Sequence, residues 1–511
     1  MKHLYIPVFA VALMLSSCYE DLSTVADKSY PDIVVASEGE IINVSYGEEF
    51  SFCPDVTQEG YTDEDFEFFW EVDMQPNRFS DRIELGSEHQ LEYKVGNMPS
   101  NNPYMLTLKV TNTKLGFGKL ASWKFFVSSS LGEGLLVAHT RDGGKSSELD
   151  LMSAAPVTYG YNSDEPHYTR NLFGFANDGK TIDGTVNQMT ARVTSDGGTF
   201  NTNRIVFATD GGIFTIDPLT FKESQRDGEM FYNSSETAYA TQAVFNLGIA
   251  IHGAIVNHRY YAIICNGDTN YQLALCNVNP SNFFDRNNTS YAKWDQGAVC
   301  TFNPADGKFY YLRGWLSVNG GFSAAEGTLS FDAVGATCLG AGAVNQLDHG
   351  YIIKDKTGAA HFCIVKVNDN KINDYAITGV NIDNVVACGF CDNANIAYMA
   401  TPEKIYSLML SGDVLVVSAL SWKPEDSDET ITSIEQYQQG WYGTQQIWWS
   451  AYEFPLPTNR MQMIITTYNA TTGEGKIYLR PFNINTGKFT YSSNGVYGGF
   501  GEITAVTATL R

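Results

Sequence analysis

Residues 134–152, GLLVAHTRDGGKSSELDLM, read as an apolar strand, a glycine turn and a second strand, whereas residues 501–511, GEITAVTATLR, read as one strand with no partner beside it. Each end of this region lacks what the other supplies. Between them a unit recurs: a first strand of small or β-branched residues, a turn, an apolar second strand, a tight turn and a third strand. It is clearest in residues 248–278, GIAIHGAIVNHRYYAIICNGDTNYQLALCNV, and returns at 342–367, 385–410 and, around a long insertion, 431–482. Fainter copies occupy 189–218 and 298–314.

Seven first strands begin near Met189, Gly248, Ala298, Gly342, Val385, Ile431 and Ile503, and seven second strands near Leu135, Arg204, Arg259, Phe309, Gly350, Ile396 and Met461. The pattern predicts a seven-bladed β-propeller over residues 131–511, whose innermost strands are small-residued because they crowd a central channel. An unpaired sheet edge invites association, so the C-terminal strand is expected to join the strand at Leu135 and close the ring. An open solenoid would leave both ends bare.

Composition supports an all-β chain. Tyr 29, Phe 30 and Gly 46, with charged residues at only 18%, suit many short strands and turns over long surface helices. At 511 residues the chain exceeds one ordinary core, so two domains or one large repeat architecture is expected. A net charge of −24 argues against a nucleic-acid partner, which needs clustered Lys and Arg to release phosphate counterions.

Residues 31–130 carry strand runs such as FEFFWEV and YMLTLKVTN separated by turns, the pattern of an Ig-like β-sandwich. Alternation directs Phe66, Phe68 and Trp70 to one face, with Trp70 as a core plug. The acids Asp63, Glu64 and Asp65 read as a solvated loop, with calcium binding as the alternative.

Ahead of this domain, LYIPVFAVALML follows Lys2 and His3 and is too short to span a bilayer as an ordinary helix, the layout of a secretory signal over residues 1–17. Leu15, Ser16, Ser17 and Cys18 resemble the bacterial lipobox, which implies cleavage before Cys18 and lipidation of its thiol. Residues 18–30 lack a sustained apolar pattern and read as a tether. Glu20 and Asp21 resemble the surface-export signal of Bacteroidota lipoproteins.

The sequence offers no catalytic motif, metal-ligand spacing or cofactor cradle. Eight cysteines besides Cys18 permit disulfides without establishing them. Cys388 and Cys391 stand in a strand–turn–strand context, which does not suit redox chemistry. His252, His258, His349 and His361 read as hydrogen-bonded sheet or turn residues. The richest candidate site is the insertion from Gln438 to Arg460, where Trp441, Tyr442, Trp448, Trp449 and Tyr452 stand among glutamines and prolines. Flat rings stack on sugars or peptide side chains while amides supply directional hydrogen bonds. The alternative is that the rings only pack the insertion on its own blade. Trp315 is a second platform candidate, and the turns RDGGKS, NGDTN and KTGAA follow.

Together SSCYED, YMLTLKVTN before GKLASWKFFV, and the junction GEGLLVAHTRDGGKSSELDLM resemble the PKD-like family of Bacteroidota surface lipoproteins. The turn of the ordinary repeat is replaced here by FWEVDMQPN. The resemblance implies an outer-membrane, lipid-anchored protein facing the cell exterior. It also implies partnership with a starch-utilisation-type importer, a TonB-dependent transporter with its substrate-binding lipoprotein, for which the chain captures glycan or peptide. A structural or adhesive protein-interaction module is the alternative, and a propeller hydrolase or lyase the third.

Overall fold

The computed structural model describes residues 30–509 apart from 47, 76–77, 98–102, 129–132, 160, 162, 197–198, 233–234, 247–251, 267–270, 277–282, 292–298, 313–320, 346–347, 440–443, 448–449, 454–455 and 491–494. In the strand segments 78–80, 192–196, 199–203, 246, 264–266, 444–447 and 450–453 the backbone alone is described. The signal segment, Cys18, Glu20 and Asp21 therefore lie outside the described residues. Two compact units part between Ser128 and Ser129.

In the first unit a five-stranded sheet runs in the order Ile41–Ser45, Phe117–Ser128, Tyr104–Asn112, Phe66–Gln75, Arg78–Gly86, with the first pair parallel and the rest antiparallel. A ribbon of Glu49–Phe52 and Leu91–Lys94 supplies apolar side chains to the same core. Trp70 is fully buried, as its alternation predicts, and packs 5.7 Å from Trp123. Phe52 meets both indoles edge-on, and Trp70 Nε1 donates to the Glu88 carbonyl at 3.0 Å, so the large apolar ring is buried without an orphaned donor. The acidic run departs from the solvated reading at one position. Asp65 is buried: its carboxylate accepts from Thr62 N at 3.1 Å, closing the short 3-10 turn Asp63–Asp65, and pairs with Lys114 at 2.5 Å.

The second unit contains, among the described residues, seven antiparallel sheets of four or five strands. Their first strands are Glu502–Thr509, Val186–Asp196, Thr241–Asn246, Thr289–Tyr291, Thr337–Val344, Ala387–Phe390 and Glu429–Gln436. The first sheet joins the two ends of this unit: Glu502–Thr509 pairs antiparallel with Gly134–Thr140, which is followed by Ser146–Ser153 and His167–Thr169.

Each sheet buries both faces against its neighbours. Leu136 and Phe207 share a core between the first and second sheets, Val206 and Tyr261 between the second and third, Ile255 and Val299 between the third and fourth. Phe302 packs with Tyr351, Phe362 with Met399, and Tyr398 with Ile465 in the next three interfaces. A further core joins Ile477 and Leu479 of the seventh sheet to Leu135 and Val506 of the first. Two-sided burial explains the near-continuous apolar second strands, such as Ile396–Ala400, every residue of which is buried.

Small residues let the first strands converge. A Cβ on Gly342 would stand 2.6 Å from the Phe390 ring, and one on Gly389 would stand 2.8 Å from the Ile434 carbonyl oxygen. Neither approach is open to a larger residue without a shift.

Strand assignment departs from the sequence expectation in two sheets. The third and fourth begin one strand early, at Thr241–Asn246 and Thr289–Tyr291, so His252–Val256 and Val299–Asn303 are second strands. These second strands are wholly buried, whereas the first strands are interrupted by Thr241, Gln242, Asn246, Thr289 and Ser290, which shortens their apolar signal. The fifth and sixth sheets also add a more exposed fourth strand, Lys371–Ile377 and Val414–Ala419, which the three-strand repeat omits.

Candidate functional site: the central cavity

The first strands of all seven sheets line one cavity of about 420 Å³, with Gln188, Phe245, Thr289, Ala341, Gly389, Ser433 and Thr504 each contributing from a different sheet. A smaller hollow of about 100 Å³ shares Gln188, Arg286, Tyr291 and Glu435. The larger volume falls in the range of small-molecule sites, about 300–1,000 Å³.

Two ionisable side chains in this wall are placed by local irregularities. Arg286 projects from the turn before Thr289–Tyr291, which is tied by Asp285 N donating to Asn288 Oδ1 at 2.8 Å and by Asn288 Nδ2 donating to the Phe283 carbonyl at 2.8 Å. Its guanidinium donates to the Asn187 carbonyl of the second sheet. Glu435 owes its direction to a register shift between Ile431 and Ser433 in Glu429–Gln436. The bulge changes the phase of alternation, so Ile431 and Ile434 both enter the core with the sixth sheet while Ser433 and Glu435 line the cavity. Burial pushes the Glu435 carboxyl up to about 7, against the opposing pull of the Arg286 charge. Beside them, burial also pushes Tyr291 and Cys388 up to about 12. Asp392, the other carboxylate of the wall, is held by Arg460 at 2.7 Å.

The aromatic insertion is rooted on this wall. Gln436 and Gln438 line the cavity, and the neck is closed by Tyr437 N donating to the Gln462 carbonyl at 2.9 Å and Gln439 N donating to Asn459 Oδ1 at 2.8 Å. Gln439 Nε2 donates to Glu133 at 2.7 Å and Thr458 to the Pro156 carbonyl at 2.8 Å, fastening the neck across the junction of the seventh and first sheets. Beyond it, Thr444–Ile447 and Ser450–Glu453 form a hairpin that pairs the Tyr452 backbone with Gln445. Trp441, Tyr442, Trp448, Trp449 and Trp315 lie outside the described residues, as does the Tyr452 side chain.

The sequence reading missed Arg286, Glu435 and a second hollow of about 1,000 Å³ around Trp422. Trp422 meets Tyr478 edge-on at 5.2 Å, and its signal in the sequence was an aromatic followed by Pro424 and acids in a linker. The hairpin turns RDGGKS and KTGAA do not line the central cavity, because they join second to third strands instead of first to second.

Among the histidines, buried His349 accepts or donates at Ser290 Oγ, 2.9 Å away, and burial pushes its imidazole down to about 3. His258 contacts the Phe284 carbonyl at 3.0 Å. His361 stacks on Phe331 at 3.7 Å and lies 3.5 Å from the Asp355 carboxylate, both side-chain contacts and not the sheet hydrogen bond expected. His252 lies edge-on to Tyr271.

Packed four-stranded sheets whose first strands share a polar cavity define a β-propeller protein. No protein-family model matches the chain, and no curated protein matches it. Three solved structures are similar to it. A proposed 6-phosphogluconolactonase of Bacteroides uniformis is 8% identical, with a TM-score of 0.41, over 74% of this chain and 100% of its own. The WD40 domain of Toxoplasma gondii coronin is 11% identical, with a TM-score of 0.38, over 59% and 73%. The WD40 domain of SCAP from fission yeast is 9% identical, with a TM-score of 0.32, over 60% and 70%. Likenesses this distant say nothing about activity.

Proposed function

We propose that the chain is a cell-surface lipoprotein, anchored through Cys18, that captures a soluble glycan or peptide for an outer-membrane importer. Its scaffold is a PKD/Ig-like sandwich followed by a seven-bladed propeller closed by the C-terminal strand. Seven consecutive inter-sheet cores, including the one that joins the seventh sheet to the first, support the closed ring.

The observation that carries the capture reading is the cavity itself, with amides, an arginine and a glutamate in its wall and the neck of an aromatic-rich insertion at its edge. Polar groups converging on a concave site fix a ligand's orientation, and rings beside them add contact area. The test is a screen of the mature protein against glycan and peptide mixtures, with mass spectrometry of its N-terminus. Binding by a protein that begins at lipidated Cys18 is expected; an unmodified Met1, or no ligand in either mixture, overturns the reading.

A further inference from the structure

The titratable side chains of the central cavity are unequally matched. Glu435 is faced by Arg286 and Tyr291 of the fourth sheet and by Cys388 and Asp392 of the sixth. Asp392 is neutralised by Arg460, and Tyr291 and Cys388 carry no charge near neutrality because burial raises both to about 12. Among the described lining residues, the remaining charges are Arg286 and Glu435. No hydrogen bond joins them among the described contacts, and the guanidinium spends a donor on the neutral Asn187 carbonyl. An arginine has five N–H donors in a fork that matches a carboxylate, so donors remain for a ligand. On a chain of net charge −24, such a cation in a concave wall gives an anion a local point of attraction.

We propose that this cavity binds a small carboxylate-bearing ligand, with Arg286 taking the carboxylate and Glu435 becoming protonated as the ligand enters. The inference rests on the reading of the cavity as a capture site. Two sources share this chemistry: an acidic sugar and the C-terminus of a short peptide. A second anion beside Glu435 is repelled while Glu435 is ionised. Burial sets its titration near pH 7, so occupancy favours the acidic side.

The experiment measures binding of four probes to the mature protein at pH 6 and pH 8: glucuronate, neutral methyl glucoside, N-acetyl-dialanine and its C-terminal amide. At least one acid is expected to bind about tenfold or more tightly than its neutral counterpart, and about tenfold more tightly at pH 6 than at pH 8. Glucuronate binding identifies the sugar source and N-acetyl-dialanine binding the peptide source. Arg286→Gln should lose about tenfold or more at both pH values. Glu435→Gln should bind at pH 8 as tightly as the parent does at pH 6, a gain that misfolding cannot imitate. Equal binding of acid and neutral partner, or a pH dependence that survives Glu435→Gln, overturns the inference. Should the wider glycan and peptide mixtures yield a neutral ligand indifferent to both substitutions, this inference falls while capture stands; no ligand at all removes both.

Discussion

Two carboxylates, Asp150 and Glu435, each lie near an arginine, yet their surroundings give them opposite character. Asp150 sits in the seam where the C-terminal segment meets the first sheet. It accepts from Arg170 at 2.7 Å, from Asn171 N at 2.8 Å and from His139 Nε2 at 3.0 Å. His139 Nδ1 in turn accepts from Gly501 N at 3.2 Å, which leaves the imidazole proton on Nε2. Arg170 also lies over the Tyr168 and Phe500 rings, 4.1 and 4.8 Å from their centroids. Burial alone would raise the Asp150 carboxyl, but the bonds from His139, Arg170 and Asn171 outweigh it and hold the group below its ordinary value. Glu435 is desolvated without such partners and rises instead. The difference teaches that a buried acid with its hydrogen bonds made holds a fold together, while one that faces a cavity is poised for a ligand or a proton.

The largest expected effect comes from removing the seam altogether. Deleting residues 502–511 takes away the strand paired with Gly134–Thr140 and uncovers the core it shares with both neighbouring sheets. The expected product aggregates or melts without a cooperative transition in calorimetry and size-exclusion chromatography. A monodisperse truncation with an unchanged melting curve breaks the ring.

Next in size, Asp150→Ala takes one of two acceptors from the partly exposed Arg170 and leaves buried His139 without its hydrogen-bonded carboxylate, and should cost about 2–3 kcal/mol in denaturant unfolding. The sign in pH follows from the lowered carboxyl. Its stabilisation is present above the ordinary carboxylate value of about 4 and is lost as pH falls below that. The stability difference between parent and variant should therefore shrink in acid. A constant difference from pH 7 to pH 2 contradicts a role for the ionised group.

Glu435→Gln should act in the opposite direction. A carboxyl raised in the folded state opposes folding as it ionises, so the parent loses this contribution as pH rises from about 4.5 through 7. The variant should be more stable than the parent by about 1–3 kcal/mol at pH 8 and by little at pH 4. A destabilised variant at pH 8 would place Glu435 with Asp150 among the structural acids.

The smallest change in stability is expected for alanine at Trp441, Trp448 and Trp449. If these rings form a ligand platform beside the cavity, one substitution should weaken ligand binding by about 1–3 kcal/mol while the melting temperature stays nearly constant. If they pack the insertion, the melting temperature falls and the surviving folded protein keeps its affinity.

Much of the scaffold was legible because strand repeats announce themselves. The alternation around Trp70 located a buried ring, and the bare strand at 501–511 identified its partner at Leu135. Reading failed where the signal was weak. Thr241–Asn246 and Thr289–Tyr291 are first strands rich in polar residues, so the apolar run began one strand late. The aromatic insertion was conspicuous by composition, whereas Arg286 and Glu435 were ordinary charges in an acidic chain.

What the sequence determined by itself is therefore local and periodic: strand, turn, strand, the small residues that let first strands crowd together, and the complementary ends of the region. A period of two is written in neighbouring residues and can be read from them. Tertiary structure alone decided which acid is hydrogen-bonded into the fold and which faces the cavity. Asp150 finds His139 on the neighbouring strand and Arg170 and Asn171 just past the next one, and Glu435 reaches the cavity through a single bulge that reverses alternation. Desolvation and charge pairing depend on distances in space, which the packing of seven sheets sets and no local pattern contains.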